Sequence, residues 1–326
     1  MNNNRLFLLL LTVVGSLFIL VGCGDGAEDT GAEGADYPKQ AIEIYVPASP
    51  GGATDASARI IAKHINEYLG EDFIIINESG GGGTLAFETV RNDDTNGYKL
   101  LYFHQALHTG YATNRYEYPA TDLTAIGTYS AVNQAYVVSA DSPWDSLDDF
   151  VEDAKSNPGE YSFGAQLSGT THFMGAMLAQ EAGIEYDILD FGAESDRMAA
   201  LLGGQIDMIV TSVGNAIEYV ESGDFKVLAV LNEERDPAAP DFPTAVEQGY
   251  DIVFSITHAL FGPSDLPENV IAALNEATAE LAEDEAYIEA LGNLGHVHVL
   301  NDSEATTDLI EREFNIIQDL GKELGF

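Results

Sequence analysis

The chain has 326 residues, 54 of them acidic and 13 basic, for a formal net charge of −41. Such a field repels polyanions, which excludes nucleic acid and anionic membrane surfaces as partners. Hydrophobic residues at 45% and aromatics at 10% can still build a large core, so a disordered acidic chain is excluded too.

The N-terminus reads as a targeting segment. Arg5 gives a thin positive start, residues 6–21 are almost unbroken in their apolar character, and the run ends in Leu20-Val-Gly-Cys23. That is the pattern of a lipoprotein signal peptide over residues 1–22, with Cys23 as the lipidated residue. The stretch is short for a full membrane span, the competing reading. Cys23 is the single cysteine, which leaves no disulfide partner and no cysteine-nucleophile motif. Residues 23–36, rich in Gly, Asp and Glu, form an acidic tether.

Next comes the most informative stretch, Ile42-Glu-Ile-Tyr-Val-Pro-Ala-Ser-Pro-Gly-Gly-Ala-Thr-Asp-Ala-Ser-Ala-Arg59. Ile42, Ile44 and Val46 alternate with polar neighbours and predict a strand. Pro47 and Pro50 forbid its continuation, and Gly51-Gly52 permits turns closed to other residues. A helix follows, with Thr54 or Asp55 as its cap and Ala58, Ile61, Ala62, Ile65 and Leu69 on its apolar face. The junction leaves backbone N–H groups unobstructed by bulky side chains, a geometry that binds anions. An ordinary strand-to-helix turn is the alternative.

Further strands are expected at Phe73–Asn77, Lys99–Phe103, 136–139, 161–164, 206–210 and 227–231. They alternate with helical patterns, which favours α/β layers with mainly parallel sheets. One helix covers 148–155 and stops at Asn157-Pro158-Gly159; another runs from near Thr171 to Gly183. Ser195 is the expected cap of a helix over 196–202, ended by Gly203-Gly204. Beyond Pro267 the chain is helix-rich, with Val270, Leu274 and Leu281, then Leu309, Phe314, Ile317 and Leu320, at helical spacing.

Catalytic motifs are missing. There is no G-x-S-x-G, no H-E-x-x-H and no phosphate loop with its lysine, and Gly80 to Gly83 does not fit a dinucleotide fingerprint. No calcium loop of the D-x-[DN]-x-[DN]-G type occurs either. His104 with His108, and His296 with His298 on one face of a strand, could seed metal sites, but each pair lacks a third ligand; core or surface histidines are the better reading. No cofactor is expected. Ser168-Gly-Thr-Thr-His172 places hydroxyls and N–H groups at another helix start, with Thr170 or Thr171 able to cap it. Two such starts facing one cleft would grip an anion without a fixed cation. Arg59 and Arg197 both read as members of surface ion pairs.

The segment Val46-Pro-Ala-Ser-Pro-Gly-Gly-Ala-Thr-Asp-Ala-Ser-Ala-Arg59 resembles the opening motif of the substrate-binding proteins of tripartite tricarboxylate transporters, the family named after Bordetella uptake genes. Asn77-Glu-Ser-Gly-Gly-Gly-Gly-Thr84 with Asn96-Gly-Tyr-Lys-Leu-Leu101, Gly164-Ala-Gln-Leu-Ser-Gly-Thr-Thr-His172, Leu202-Gly-Gly-Gln-Ile-Asp207 and Asp241-Phe-Pro-Thr-Ala-Val-Glu-Gln-Gly-Tyr250 resemble further signatures in the right order. They span nearly everything after Tyr37.

The resemblance implies a two-lobed α/β fold of the periplasmic-binding-protein type II kind, with a ligand cleft between lobes. It implies crossings near 139–143 and 252–262, so that 37–138 plus 257–326 form lobe one and 139–256 lobe two. It further implies a non-enzymatic, extracytoplasmic, membrane-anchored protein that captures a small di- or tricarboxylate for the large and small membrane subunits of a transporter. The ligand core would be Ala48, Ser49, Pro50, Gly51, Gly52, Ala53, Thr54 and Asp55 from lobe one. Lobe two would add Gly164, Ser168, Gly169, Thr170, Thr171, His172 and, near the cleft, Asp207. In the family, backbone groups and ordered water hold the proximal carboxylate and variable residues read the rest. This chain carries Ala48-Ser49 where an aromatic-alanine pair is usual, a departure that bears on the ligand's far end. Rival readings are a lipid-anchored hydrolase and the ligand-sensing lobe of a signalling system.

Loss of residues 1–22 removes one basic residue and leaves a net charge of −42. An acid excess of this size suits an exposed protein in a saline or alkaline medium. Its melting temperature is expected to keep rising with sodium chloride well beyond ~0.15 M, towards 1 M, where the screening length falls to about 3 Å. Sulfate serves as the control, because it also strengthens apolar burial. A flat or falling melting temperature in chloride would contradict this reading.

Overall fold

The computed structural model describes residues 37–326. The expected signal segment, Cys23 and the tether up to residue 36 lie outside the described residues.

In chain order the elements are β1 (Ile42–Val46), α1 (Ala53–Leu69), β2 (Phe73–Asn77), α2 (Thr84–Arg91), β3 (Lys99–Phe103), α3 (Ala106–Ala112), β4 (Thr124–Val132), β5 (Gln134–Ser139), α4 (Leu147–Ser156), β6 (Ser162–Ala165), α5 (Thr170–Ala182) and β7 (Asp187–Asp190). Then follow α6 (Glu194–Leu202), β8 (Met208–Ser212), α7 (Val213–Glu221), β9 (Phe225–Val230), β10 (Ile256–Gly262), α8 (Glu268–Leu281), α9 (Glu285–Asn293), β11 (Val297–Asn301) and α10 (Ser303–Glu323). The first sheet has the order β11-β4-β10-β3-β1-β2, and the second β7-β6-β8-β5-β9. Within the first, β1 runs parallel to β2 and β3. Within the second, β6 runs parallel to β7 and β8. Each sheet therefore has a block of parallel strands whose C-terminal ends share an edge. That edge is where α/β proteins place their ligands.

Residue patterning explains the sheets. Alternation buries Ile42, Ile44 and Val46, while β3 and β5 are covered on both faces and read as apolar runs. Strands β4, β7 and β10 escape the sequence reading for different reasons. Buried residues run through β4 and β10, whose mutual register shifts twice, so neither alternates. β7 is a four-residue edge strand with three exposed positions. β11 begins after His296, which is buried, whereas His298 is exposed, so the two histidines do not share a buried strand face.

The passage between sheets differs from the expected one. β4 ends at Val132 in the first sheet and β5 starts at Gln134 in the second, so the chain changes sheet at Asn133 rather than near 139–143. β5 lies between β8 and β9 in the second sheet, with Tyr136 and Val138 in that core. The return passage leads into β10. Both crossings are pinned to each other: Ser255 Oγ donates to Asn133 Oδ1 at 3.0 Å and to Asn232 Oδ1 at 2.8 Å, and Asn133 Nδ2 donates to Asp236 at 2.7 Å.

α10 straps the two halves. Its Ile310 enters a cluster with Phe87, Leu107 and Phe261. About two and three turns later, Ile317 and Leu320 enter the core of the second sheet with Phe150, Phe163 and Phe173. The end of α10 thus packs outside the half that residues 257–326 were expected to join. Gln105 Nε2 donates to both oxygens of Glu313 on α10, at 2.9 and 3.0 Å, and Gln105 Oε1 accepts from Thr257 N–H at 3.0 Å. Burial raises the Glu313 carboxyl to about 7, against the hydrogen bond from Gln105.

Candidate functional site

At the C-terminal edge of the first sheet, β1 runs into the loop 47–52 and then α1. Asp55 does not cap this helix, and neither does Thr54. The N-cap is Gly52, with no side-chain hydrogen bond, and both residues lie inside the first turn. Gly51 adopts φ +84°, a left-handed conformation that disfavours side chains. Asp55 reaches back to hold that turn. Its Oδ2 accepts from Gly51 N–H at 2.8 Å and from Arg59 Nε at 3.0 Å, and its Oδ1 accepts from Asn77 Nδ2 at 2.8 Å. Burial pushes the carboxyl up, but the bonds from Arg59, Gly51 and Asn77 win and hold it below the usual aspartate range. Asp55 is 2% exposed and fully occupied, so it shapes the loop. Arg59 is the surface-pair residue expected of it, 2.9 Å from Asp55. Ala48 is half-buried, Ser49, Pro50, Gly52 and Ala53 are exposed, and the first-turn N–H groups have no intrahelical acceptors.

α5 repeats the arrangement in the second sheet. Its N-cap is Gly169, again without a side-chain cap, so neither Thr170 nor Thr171 plays that part. Thr171 Oγ1 instead accepts from Gln166 N–H at 2.9 Å, and Ser168 N–H donates to His172 Nδ1 at 3.2 Å. Burial lowers the His172 imidazole below its ordinary value, so it braces the loop as a neutral group. Ser168 itself sits at φ +61°, a strained conformation for a residue with a side chain.

Two expected residues lie elsewhere. Gly164 is inside β6, where a Cβ would come within 2.3 Å of Ile206 Cδ1; it is a packing glycine. Asp207 lies at the opposite edge, before β8, and its Oδ2 accepts from both the N–H and Oγ of Ser162 at 2.8 Å. Four residues of strand, roughly 13 Å, separate Ser162 from the loop at Gln166.

Arg115, which was not anticipated, lies between the α5 loop and the glycine run 80–83. It follows Asn114 at φ +56° and its Nη2 donates to Ser168 O at 3.4 Å. Its stem lies against Gly82 of the loop 80–83, where a Cβ would be 3.3 Å from Arg115 Cδ. A Cβ at Gly83 would be 2.9 Å from Pro47, so the glycine run also touches the first loop. Lysine-free glycine loops, one from each sheet edge, therefore converge with an exposed guanidinium between them. A separate groove of about 1130 Å³ follows the crossing segments and is lined by Asn133, Asn232, Ser255, Thr257, Arg312 and Glu313 among others; neither loop contributes to it.

Behind α1 lies a second unanticipated feature. His258 stacks on Tyr102 at 5.4 Å and on His296 at 5.5 Å, and meets His104 edge-on at 5.2 Å. His258 Nε2 is 3.4 Å from Thr54 Oγ1, and its Nδ1 is 3.4 Å from Ser130 Oγ. Tyr102 OH bridges Ser130 and Ser57, and Ser57 Oγ donates to Thr54 O at 3.1 Å. The ring of contacts closes on the first turn of α1. No cluster of metal-ligating side chains occurs among the described residues, and His108, buried apart from these rings, pairs with none of them.

Comparison with known proteins settles the family. The model of the tripartite tricarboxylate transporter family receptor matches residues 57–326. The chain belongs to that family. Protein BugT of Bordetella pertussis is 26% identical to this family member over 298 residues, which is 88% of this chain and 91% of that one. A solved solute-binding protein of the family from Polaromonas superposes with a TM-score of 0.80 at 26% identity, covering 88% of this chain and 99% of its own. The malate-bound protein MatC of Rhodopseudomonas palustris has the same fold, with a TM-score of 0.68 at 24% identity over 87% and 100% of the two chains. Members of the family are extracytoplasmic solute-binding receptors and not enzymes, and the two-sheet α/β architecture is the one expected.

The histidine stack generates a pH prediction. Burial lowers His104 and His296 to about 4, and lowers His258 well below its ordinary value, with His104 and His296 adding to the effect. Unfolded histidines titrate near ~6.5. Between those values the unfolded chain holds more protons, so stability is present above pH ~6.5 and is lost as pH falls towards 4. The melting temperature is expected to drop across that window, and His258→Gln to flatten the drop relative to wild type. Equal slopes in the two proteins would contradict the assignment.

Proposed function

We propose that this receptor captures a small di- or tricarboxylate between the loops 48–55 and 168–172 and hands it to the large and small membrane subunits of a tripartite tricarboxylate-type transporter. The observation that carries the reading is the pair of glycine-capped helix starts, α1 and α5. Each stands at the C-terminal edge of a different sheet, and Arg115 bonds to the α5 loop while its stem lies against Gly82 in the glycine run that abuts Pro47. A carboxylate there accepts charge-assisted hydrogen bonds from backbone N–H groups, which are roughly twice as strong as neutral ones. Helix-end dipoles act within about one turn, whereas the repulsive field of the whole chain is screened by salt. Malate in the MatC structure supports the ligand class.

Calorimetry in molar salt with mono-, di- and tricarboxylates tests this. At least one di- or tricarboxylate should bind, and its amide should bind at least tenfold more weakly. Gly52→Val should abolish binding, because even a Cβ at Gly52 would be 3.3 Å from Ser49 O and the added methyls crowd the N–H groups. Thr171→Ala should cost on the order of 1 kcal/mol, through the lost bond to Gln166. Undiminished affinity in Gly52→Val, or equal affinity for acid and amide, would remove the site.

The delivery role includes anchoring through a lipidated Cys23, for which Leu20-Val-Gly-Cys23 is the support. A diacyl group plus an N-acyl chain would hold firmly, where one chain binds only marginally. Cys23→Ser should release the protein from membranes or leave it unprocessed. A variant that stays membrane-bound with an unchanged lipid mass would refute the anchor.

A further inference from the structure

Arg197 is not the surface residue its sequence context suggested. It is the fourth residue of α6 and only 5% exposed. Its Nη1 donates to Gly192 O at 2.6 Å, and its Nε is buried with no partner among the described residues. Being in the first turn of a helix, it also sits where the helix dipole disfavours a cation.

Acid shortage does not explain this. In a chain with 54 acidic residues, Arg59, Lys99, Lys226, Arg235 and Lys322 each have a carboxylate within 2.7 to 2.9 Å. Arg197 has no such pair among the described residues. Glu194 and Asp196, its neighbours on α6, favour its charge without forming an ion pair with it, while burial opposes that charge. Asp190 and Glu194 on the same edge are engaged by other donors. Asp190 Oδ1 accepts from Leu167 N–H at 3.3 Å and from Gly192 N–H at 3.2 Å. Glu194 Oε1 accepts from Thr211 Oγ1 at 2.5 Å and Ser212 N–H at 3.3 Å. A buried charge without a partner is costly unless something completes it.

Its place names what that is. The loops after β6, β7 and β8 all leave the C-terminal edge of the parallel block. Asp190 links Leu167, in the α5 loop, to the Gly192 turn that Arg197 holds. Helix α6, like α1 and α5, has no side-chain cap; its N-cap is Ala193. We propose that Arg197 receives the second carboxylate of a dicarboxylate whose first carboxylate is held by the starts of α1 and α5. The assignment rests on the carboxylate reading above. Nε supplies the donor that lacks an acceptor, and the fixed guanidinium supplies the charge the glycine loops do not.

The test compares malate with 2-hydroxybutyrate, which differs by a methyl group in place of one carboxylate. Calorimetry on wild type should give at least tenfold tighter malate binding. Arg197→Gln should weaken malate roughly 30- to 1000-fold, as for removal of one partner of a buried charge pair, and leave 2-hydroxybutyrate unchanged. Arg197→Lys should fall between. Loss of affinity for both ligands by one factor would make Arg197 a positioning residue and overturn the proposal, as would preserved malate preference in Arg197→Gln. If Arg197→Gln does not fold, the wild-type Arg197 Nε–H resonance decides: it should shift with malate and stay in place with 2-hydroxybutyrate, and the same response to both would overturn the assignment. Failure of wild type to bind any carboxylate would refute the carboxylate reading itself and this assignment with it.

Discussion

A helix start that offers its N–H groups to an anion cannot use those same groups to satisfy its own side chain. Four helices here obey the ordinary rule: α4, α7, α9 and α10 are capped by Ser146, Ser212, Asp284 and Asp302. α1 and α5 do not. Each is preceded by glycine, and each loop is braced from a distance. Asp55 holds Gly51 from one turn along, and Thr171 and His172 hold Gln166 and Ser168. A missing cap typically costs about 1 kcal/mol. The surrounding network of Asp55, Asn77, Arg59 and the histidine stack offsets that cost and fixes the donors in place.

This constraint also explains the charge. Thirteen basic residues cannot line a generous anion pocket in a chain of 54 acids, and Arg59, Lys99, Lys226, Arg235 and Lys322 are drawn into ion pairs. Backbone donors, unlike a flexible basic side chain, are fixed in place by the fold: Asp55 takes the Gly51 N–H, while the first-turn N–H groups of α1 keep no intrahelical acceptor. Exposed Arg115 and buried Arg197 are two cations, among the described residues, that stay out of these ion pairs. The sheets, the Asn133–Ser255–Asn232 contacts and α10 then tie together the two halves that carry the loops.

Much of this was legible before any coordinates. β1, β2 and β3 fall on their expected residues, because alternation and flanking Gly and Pro leave few alternatives. Both glycine loops were visible as breaks between strand and helix. The sheet change at Asn133 was not, since β4 and β5 are separated by a single residue with no Gly or Pro to mark it. Gly164 and Asp207 travelled with motifs to which they belong in sequence, but their side-chain environments are set by Ile206 and Ser162 at other places in the sheet. Arg115 and His258 gave no local signal at all. Arg115 becomes a loop neighbour only through the left-handed Asn114, and His258 meets Thr54 across 204 residues of chain.

The central claim is that backbone N–H groups from both halves hold one carboxylate. Amide resonances report it directly. On titration of the tightest-binding carboxylate into uniformly labelled protein in molar salt, the amide protons of Ala53, Thr54, Thr170 and Thr171 should move downfield together, with one shared dissociation constant. Shifts confined to one loop, or centred instead on the groove beside Asn232 and Arg312, would contradict it.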